Sequence, residues 1–460
     1  MNQNSMLENP LGIQPVKGLI WKFAIPGIIS QLINSMHNIV DQVFIGWGIG
    51  DLGIAATNIV FPLSALITAL SALIGMGAAS RFSIYLGERK DKEASKVFGN
   101  AISLMLFFGV FITLITSVFL EPMLYLFGAT DKIIPYAAPY ARIICLGIPF
   151  GIFATGMSYF IRSDGNPNYS SFVLISGAVF NIIFDPIFLF VFHMGISGIA
   201  LATTLGQVLS ASLALHYLLR KYKAVSLSKQ DLRVHLKVVL GIFTLGSSIF
   251  TTHILAIIAQ ILQMNTLKSH GALSVYGSEV VIASSGAISK LSIVFLSGII
   301  GIAIGCQPIL GFNLGSQKYD RVKETYLLAL RYGTTIAACA FLILQLFPEQ
   351  LLSIFGSDNP LFYEFATRYI RIYMAVLFLN ALQPVTSTFC TAIGKANLGF
   401  WMAVIRQGLL MIPLLLILPN FIGLDGVLMA GSISDGIAAM IVIFIGSREI
   451  KRLTQMQSEI

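Results

Sequence analysis

Charge is what this sequence has least of. Only 11% of its 460 residues are Asp, Glu, Lys or Arg, against roughly 25% in a soluble protein. That shortage excludes a surface held mainly in water and fits one that mostly faces lipid. The motifs of common enzyme classes are also missing. There is no phosphate-binding Gly-rich loop, which removes ATP as an energy source, and no zinc motif or nucleophile elbow. The chain is therefore expected not to be an enzyme and to need no cofactor. The four cysteines, Cys145, Cys306, Cys339 and Cys390, all fall in apolar runs without metal-ligand spacing, so they are expected to be small buried hydrophobes. Residues 1–16 lack the charged start and apolar middle of a signal peptide. The first apolar run, entered through Trp21 and Lys22, reads as a retained helix. Short strands of alternating polarity are absent, which excludes a membrane barrel.

Long apolar runs are what the sequence has most of. Residues of hydrophobic type make up 56% of the chain. Twelve segments approach or exceed the ~20 apolar residues of a membrane helix: 20–45, 54–84, 98–120, 133–161, 169–193, 196–219, 238–264, 279–311, 323–347, 362–392, 398–422 and 427–446. The expected fold is an all-α integral membrane protein. The net charge of +8 resides in the gaps between these runs. Arg89, Lys90, Lys92, Lys96, Arg162, Lys318, Arg321, Lys323 and Lys395 occupy one set of alternate gaps, and the stretch 220–237 and both tails are basic too. The opposite gaps hold only Lys132 and Lys268. Basic residues so distributed are topology signals rather than a nucleic-acid surface, and they predict cytoplasmic termini in a multi-pass plasma-membrane protein.

The chain repeats itself. Leu86-Gly87 recurs as Leu314-Gly315, Phe127-Gly128 as Phe355-Gly356, and Gly195-x-x-Gly198 as Gly423-x-x-Gly426, each pair 228 residues apart. Six helices are thus duplicated as six more in the same orientation. Parallel repeats of this kind imply two bundles with a substrate site between them. The expected organisation is a tail at 1–16, an N-terminal six-helix bundle at 17–219, a cytoplasmic linker at 220–237, a C-terminal bundle at 238–446 and a tail at 447–460.

Polar side chains inside membrane helices cost roughly 2.5–3.5 kcal/mol when charged and mark function. Asp41 falls toward the outer end of the first segment and Asp185 in the outer half of the fifth. Asn181 and Asp185 share a helix face by their spacing of four. Pro186 lacks the amide hydrogen that would satisfy the Ile182 carbonyl. Thr203, Thr204 and Gln207 in the sixth segment add further oxygens. Such a cluster suits sodium, or a proton held on a carboxylate in low dielectric. Pro26 is a candidate hinge. Gln31, Met36, Met157 and Lys290 are candidate linings of a substrate cavity; Met264, Met402 and Phe153 are apolar candidates for the same role. Lys290 and Asp435 are the lone charged candidates of the C-terminal half, and three roles are open to them: pairing with each other, lining the cavity, or binding substrate.

Asp41-Gln-Val-Phe-Ile-Gly46 with Gly53-Ile-Ala-Ala56, and Asn181-Ile-Ile-Phe-Asp185-Pro186 with Gly195-Ile-Ser-Gly198-Ile-Ala200-Leu-Ala-Thr203, resemble the multidrug and toxic compound extrusion (MATE) family over residues 17 to 450. The resemblance is to the branch related to DNA-damage-inducible protein F and the staphylococcal-type multidrug exporters. It implies a V-shaped monomer in the membrane lipid that exports organic cations and other drugs by antiport with H+ or Na+. It also implies that Asp41, Asn181, Asp185 and Thr203 form the ion site. The wider superfamily also contains flippases for lipid-linked sugars, which is the alternative reading.

Overall fold

The computed structural model describes residues 9–355 and 359–459. Among them, eleven helices are long and apolar enough to cross a membrane, and a twelfth crossing is made by two helices bent by 45°. In chain order the spans are α1 (Val16–Gly48), α2 (Leu52–Gly87), α3 (Asp91–Val118), α4 (Ile134–Ser163), α5 (Pro167–Val191), α6 (Ile196–Arg220), α7 (Leu236–Ala272), α8 (Gly277–Gly315), α9 (Tyr319–Leu346), α10 (Pro360–Tyr373 with Leu377–Ala392), α11 (Ala396–Ile422) and α12 (Leu424–Ser458). An even number of crossings returns both termini to one face, called here the terminal face. The break in α10 precedes a helix that starts at Leu382 and carries Pro384 in its first turn. A proline is tolerated there, whereas further along a continuous helix its ring would meet the carbonyl four residues back.

The repeat predicted from spacing is present in the backbone. Gly195 and Gly423 share φ +59°, and Arg89 and Gln317 have φ +59° and +57°. Each pair is 228 residues apart. Gly356, the repeat partner of Gly128, lies outside the described residues. The two halves meet through their own repeat marks. A Cβ on Gly87 would fall 2.1 Å from the Phe312 carbonyl oxygen, and one on Gly315 would fall 2.1 Å from that of Ile84. Further into the membrane, Gly77 abuts Ile242 and Gly246, while its repeat mate Gly305 abuts Phe23 and Ala24. Lipid gives helices no hydrophobic drive to associate, so close backbone approach at small residues carries the packing. Gln307 adds hydrogen bonds across the same contact, donating to the Met76 carbonyl at 3.2 Å and to Ser80 Oγ at 2.8 Å.

Each bundle has its own core. In the N-terminal one, Phe82, Phe98 and Phe160 pack ring on ring. The terminal-face end of α7, through Val239 and Ile242, joins that core, while the terminal-face end of α1, from Val16 to Ala24, joins the C-terminal core. The expected linker is strapped to the N-terminal bundle. Asp164 Oδ1 accepts from the Ala224 amide at 2.7 Å, and Asn100 Oδ1 accepts from that of His235 at 2.7 Å. Of the expected N-terminal tail, residues 1–8 lie outside the described residues. Leu11 is buried, and Arg321 donates to its carbonyl at 3.1 Å. The expected C-terminal tail from residue 447 continues α12 to Ser458.

Among the described residues, an ion pair joins α11 and α12 of the C-terminal bundle near their middles. Arg406 Nε donates to Asp435 Oδ1 at 2.6 Å, with the side chains 27% and 14% exposed. The backbone around Arg406 is a π-helix, Val404–Met411, and Ser434 Oγ donates to the Arg406 carbonyl at 2.8 Å. The pairing of Asp435 with Lys290, one of the roles open from sequence, does not occur. Arg406 on the neighbouring α11 takes the carboxylate, and Lys290 lies on the face of α8 turned away from the C-terminal core.

Two outcomes are expected. Gly87→Val and Gly315→Val each push backbone from backbone, so both open the terminal face; a cysteine at Ser80, buried in the parent, becomes labelled by an impermeant maleimide from that side in both variants. Asp435→Asn leaves a half-buried guanidinium unpaired and costs about 1–3 kcal/mol, read as a lower thermal midpoint in detergent, whereas pairing Asp435→Leu with Arg406→Met recovers most of that loss.

Candidate ion-coupling site

Four side chains of the N-terminal bundle that were singled out from sequence come together. Asp185 on α5 is fully buried, and Asp41 on α1 is 8% exposed. Asn181, one turn before Asp185, donates from Nδ2 to Asp185 Oδ1 at 3.0 Å and to Thr203 Oγ1 at 3.0 Å. Thr203 in turn donates to the Ile199 carbonyl at 3.1 Å. Asp185 and Asp41 are in side-chain contact with each other. This arrangement leaves oxygens without donors. Asp41 Oδ1, Asp185 Oδ2 and Asn181 Oδ1 are all buried and unpartnered.

The backbone explains part of the placement. Pro186 ends the α-helical part of α5, and the chain continues as a π-helix over Ile187–Val191. The disturbance expected after Asp185 is therefore real and takes the form of a wider turn, a feature common at functional sites. Gly195, in the left-handed region, then starts α6 and brings Thr203 back beside Asn181.

Two carboxyl groups in contact in a low-dielectric bundle repel each other, and a cation beside them relieves that repulsion. The orphaned oxygens suit such a cation, since Asp41, Asp185, Asn181 and Thr203 offer only oxygen to an incoming ion. Among the described residues, no group of three or more His, Cys, Asp and Glu has the geometry of a metal centre. A transported ion here would be held by carboxylate, amide and hydroxyl together.

Sequence reasoning missed two neighbours. His37, one turn before Asp41, places Nε2 at 3.5 Å from Asp41 Oδ2, while its Nδ1 is buried without a partner. The spacing of four from Asp41 was the available signal. Tyr140 on α4 is half-buried close to both carboxylates; nothing in the sequence near it pointed there. Thr204 and Gln207, weighed as extra ligands, turn to α4 instead. Thr204 Oγ1 donates to the Ile143 carbonyl at 3.0 Å, and Gln207 fills the space above Gly147 and Gly151.

The remaining candidates separate. Met157 is fully buried in the N-terminal core, so its assignment to a substrate cavity is corrected: it faces the packed centre of its bundle. Met402 is buried as well. Met36 is 56% exposed. Gln31 is half-buried one turn below Ser35, whose hydroxyl meets that of Ser297 on α8 at 3.0 Å. Lys290 is half-buried and has no partner among the described residues. Pro26 lies within α1, which continues through it as helix, and Gly27 beside it touches the Gly301 carbonyl of α8.

The comparisons agree with this architecture. A sequence profile of the MatE family matches twice, over residues 26–187 and 256–417, once in each half. The multidrug export protein MepA of Staphylococcus saprophyticus is 27% identical over 445 residues, covering 96% of each chain. MepA of Staphylococcus aureus is 26% identical over 447 residues, covering 97% of each. A solved outward-facing conformation of a multidrug resistance MATE transporter superposes with a TM-score of 0.89 at 22% identity, over 96% of this chain and 98% of that one, a likeness in fold. With two matched repeats spanning most of its length, twelve crossings in two lobes and near full-length similarity to export proteins, the chain belongs to the MatE family of membrane transporters.

Proposed function

We propose that this protein is a secondary active multidrug exporter, moving organic cations and other amphipathic compounds outward in exchange for H+ or Na+. The single observation that carries this reading is the Asp41–Asp185 contact, buried and flanked by orphaned oxygens. A cation relieves the repulsion, and among the described residues His37 is the one basic side chain within 4 Å of either carboxylate. The curated relatives, named as drug-export proteins, support export over the flippase alternative.

The mechanism follows from linkage. A coupling ion entering from the face opposite the termini binds the carboxylates with Asn181 and Thr203. It neutralises the pair and shifts the balance between two arrangements of the bundles, which a ligand does only by binding them differently. Pro26 is placed to absorb the resulting bend in α1, because its missing amide leaves the Lys22 carbonyl without its usual donor. The seal of glycine against glycine at the terminal face is what must part when the transporter reopens inward. In this reading the termini are cytoplasmic, the bundles span 17–219 and 238–446, the protein works as a monomer in the plasma membrane, and it has no enzymatic activity.

In proteoliposomes with an imposed pH or Na+ gradient, Asp41→Asn and Asp185→Asn are each expected to abolish gradient-driven efflux of a fluorescent organic cation, while the protein still inserts and binds the dye. Comparing the two gradients identifies the ion. Undiminished efflux in both variants contradicts the proposal.

A further inference from the structure

Beside the α1–α8 contact, where the two bundles meet, α8 carries a charge that the ion site does not use. α1 and α8 run antiparallel in contact, Ala24 against Gly305, Ile28 against Gly301, and Ser35 against Ser297. At 100° per residue, Gly301, Ser297, Val294 and Lys290 fall on one stripe of α8, opposite Val281, Ser285 and Ile288, which are buried in the C-terminal core. Continuing the register beyond Ser297 sets Lys290 level with residues 38–42 of α1, the turn that carries Asp41.

Beyond the Ser35–Ser297 hydrogen bond the stripe opens. Val294 is 37% exposed and Ile293 49%, and a Cβ on Gly286, one turn past Lys290, would meet nothing within 4 Å. Across the opening α1 presents Asn38, exposed and neutral. The acids at that depth turn away: Asp41 is buried in the N-terminal bundle beside Asp185. Asp435, the carboxylate of the C-terminal half, is held by Arg406. Lys290 has no partner among the described residues.

We propose that Lys290 is the recognition point for an anionic group on an amphipathic substrate, with the apolar body of that substrate lying on Ile293 and Val294. The proposal rests on the export reading and narrows it. An unpaired ammonium in a partly dehydrated wall leaves its binding energy for a ligand, and a carboxylate, sulfonate or phosphate recovers it as a charge-assisted hydrogen bond. An organic cation gains nothing from this position and is repelled by it. A subsite at Lys290 therefore favours anions and zwitterions with an apolar body, while the organic cations bind away from residue 290.

The test uses full-length protein in nanodiscs of phosphatidylcholine and two probes with the same apolar body, 2-naphthalenesulfonate and its trimethylammonium analogue, followed by equilibrium dialysis. Lys290→Gln is expected to weaken the sulfonate by about tenfold and leave the ammonium unchanged or tighter, and Lys290→Arg to keep sulfonate binding. Adding phosphatidylglycerol separates two sources of the anion. If lipid phosphate also occupies the site, it weakens sulfonate binding in the parent and not in Lys290→Gln; if only free solutes do, it weakens neither. Sulfonate binding by Lys290→Gln equal to the parent's, in protein with an unchanged melting curve, overturns the proposal. Gradient-driven efflux of the ammonium probe keeps the two readings apart: efflux together with indifference of the sulfonate to residue 290 defeats this inference alone, whereas no efflux of either probe under either gradient defeats the export reading beneath it.

Discussion

Two carboxyl groups in contact inside a helix bundle set the terms for the rest of this structure. Asp41 and Asp185 arrive from different helices, and water does not reach the oxygens that Asn181 leaves unbonded. In a medium of low dielectric their mutual repulsion is many times what it is in water. A proton or a metal cation relieves it, and so would moving α1 relative to α5. In the proposed mechanism ion occupancy and the position of α1 are coupled in this way, and α1 is also the helix that packs against α8 through Gly27 and Ser35. One local electrostatic conflict in this way reaches the contact between the bundles.

The duplication gives the two halves one shape without giving them one chemistry. Shifting Asp41, Asn181, Asp185 and Thr203 by 228 residues lands on Ser269, Leu409, Pro413 and Gly431, none of them acidic. Shifting Gln207 lands on Asp435, which the C-terminal half pairs with Arg406 one helix away. The N-terminal half thus has negative charge seeking a partner, whereas in the C-terminal half Asp435 is paired and Lys290 has no partner among the described residues. Backbone geometry tolerates this divergence because the lobes are held together at glycines, where side-chain identity elsewhere has little effect.

Much of this was legible in the residues. Apolar runs and the basic gaps gave twelve crossings, because a lipid-facing helix must be apolar along its length. The repeat marks were legible because left-handed turns at Gly195 and Gly423, and the backbone contacts of Gly87 and Gly315, admit little else. Asn181, Asp185 and Thr203 were legible as a cluster because a spacing of four fixes a face and a costly charge marks it. What escaped depended on which side of a helix faces which neighbour. Met157 looked like a cavity residue because methionine suits both a cavity and a core. Gln207 shares a face with Thr203 and still turns to α4, where Gly147 and Gly151 leave room for it. Arg406 stood in an apolar run and was passed over, although an acid in the middle of a membrane helix, such as Asp435, calls for a cation nearby. The bend in α10 and the π-turns were out of reach, since they depend on packing against other helices as well as on proline.

The central claim is that the carboxylate pair holds the ion that substrate must displace. The most direct measurement counts ions released when substrate binds, in unbuffered detergent solution, with protons read by a pH electrode and sodium by tracer. Reciprocity of binding requires that substrate loosen the ion as much as the ion loosens substrate. The account predicts release of H+ or Na+ from the parent protein and none when Asp41 and Asp185 are both changed to Asn. Equal release from the doubly substituted protein, with substrate still bound, would contradict it.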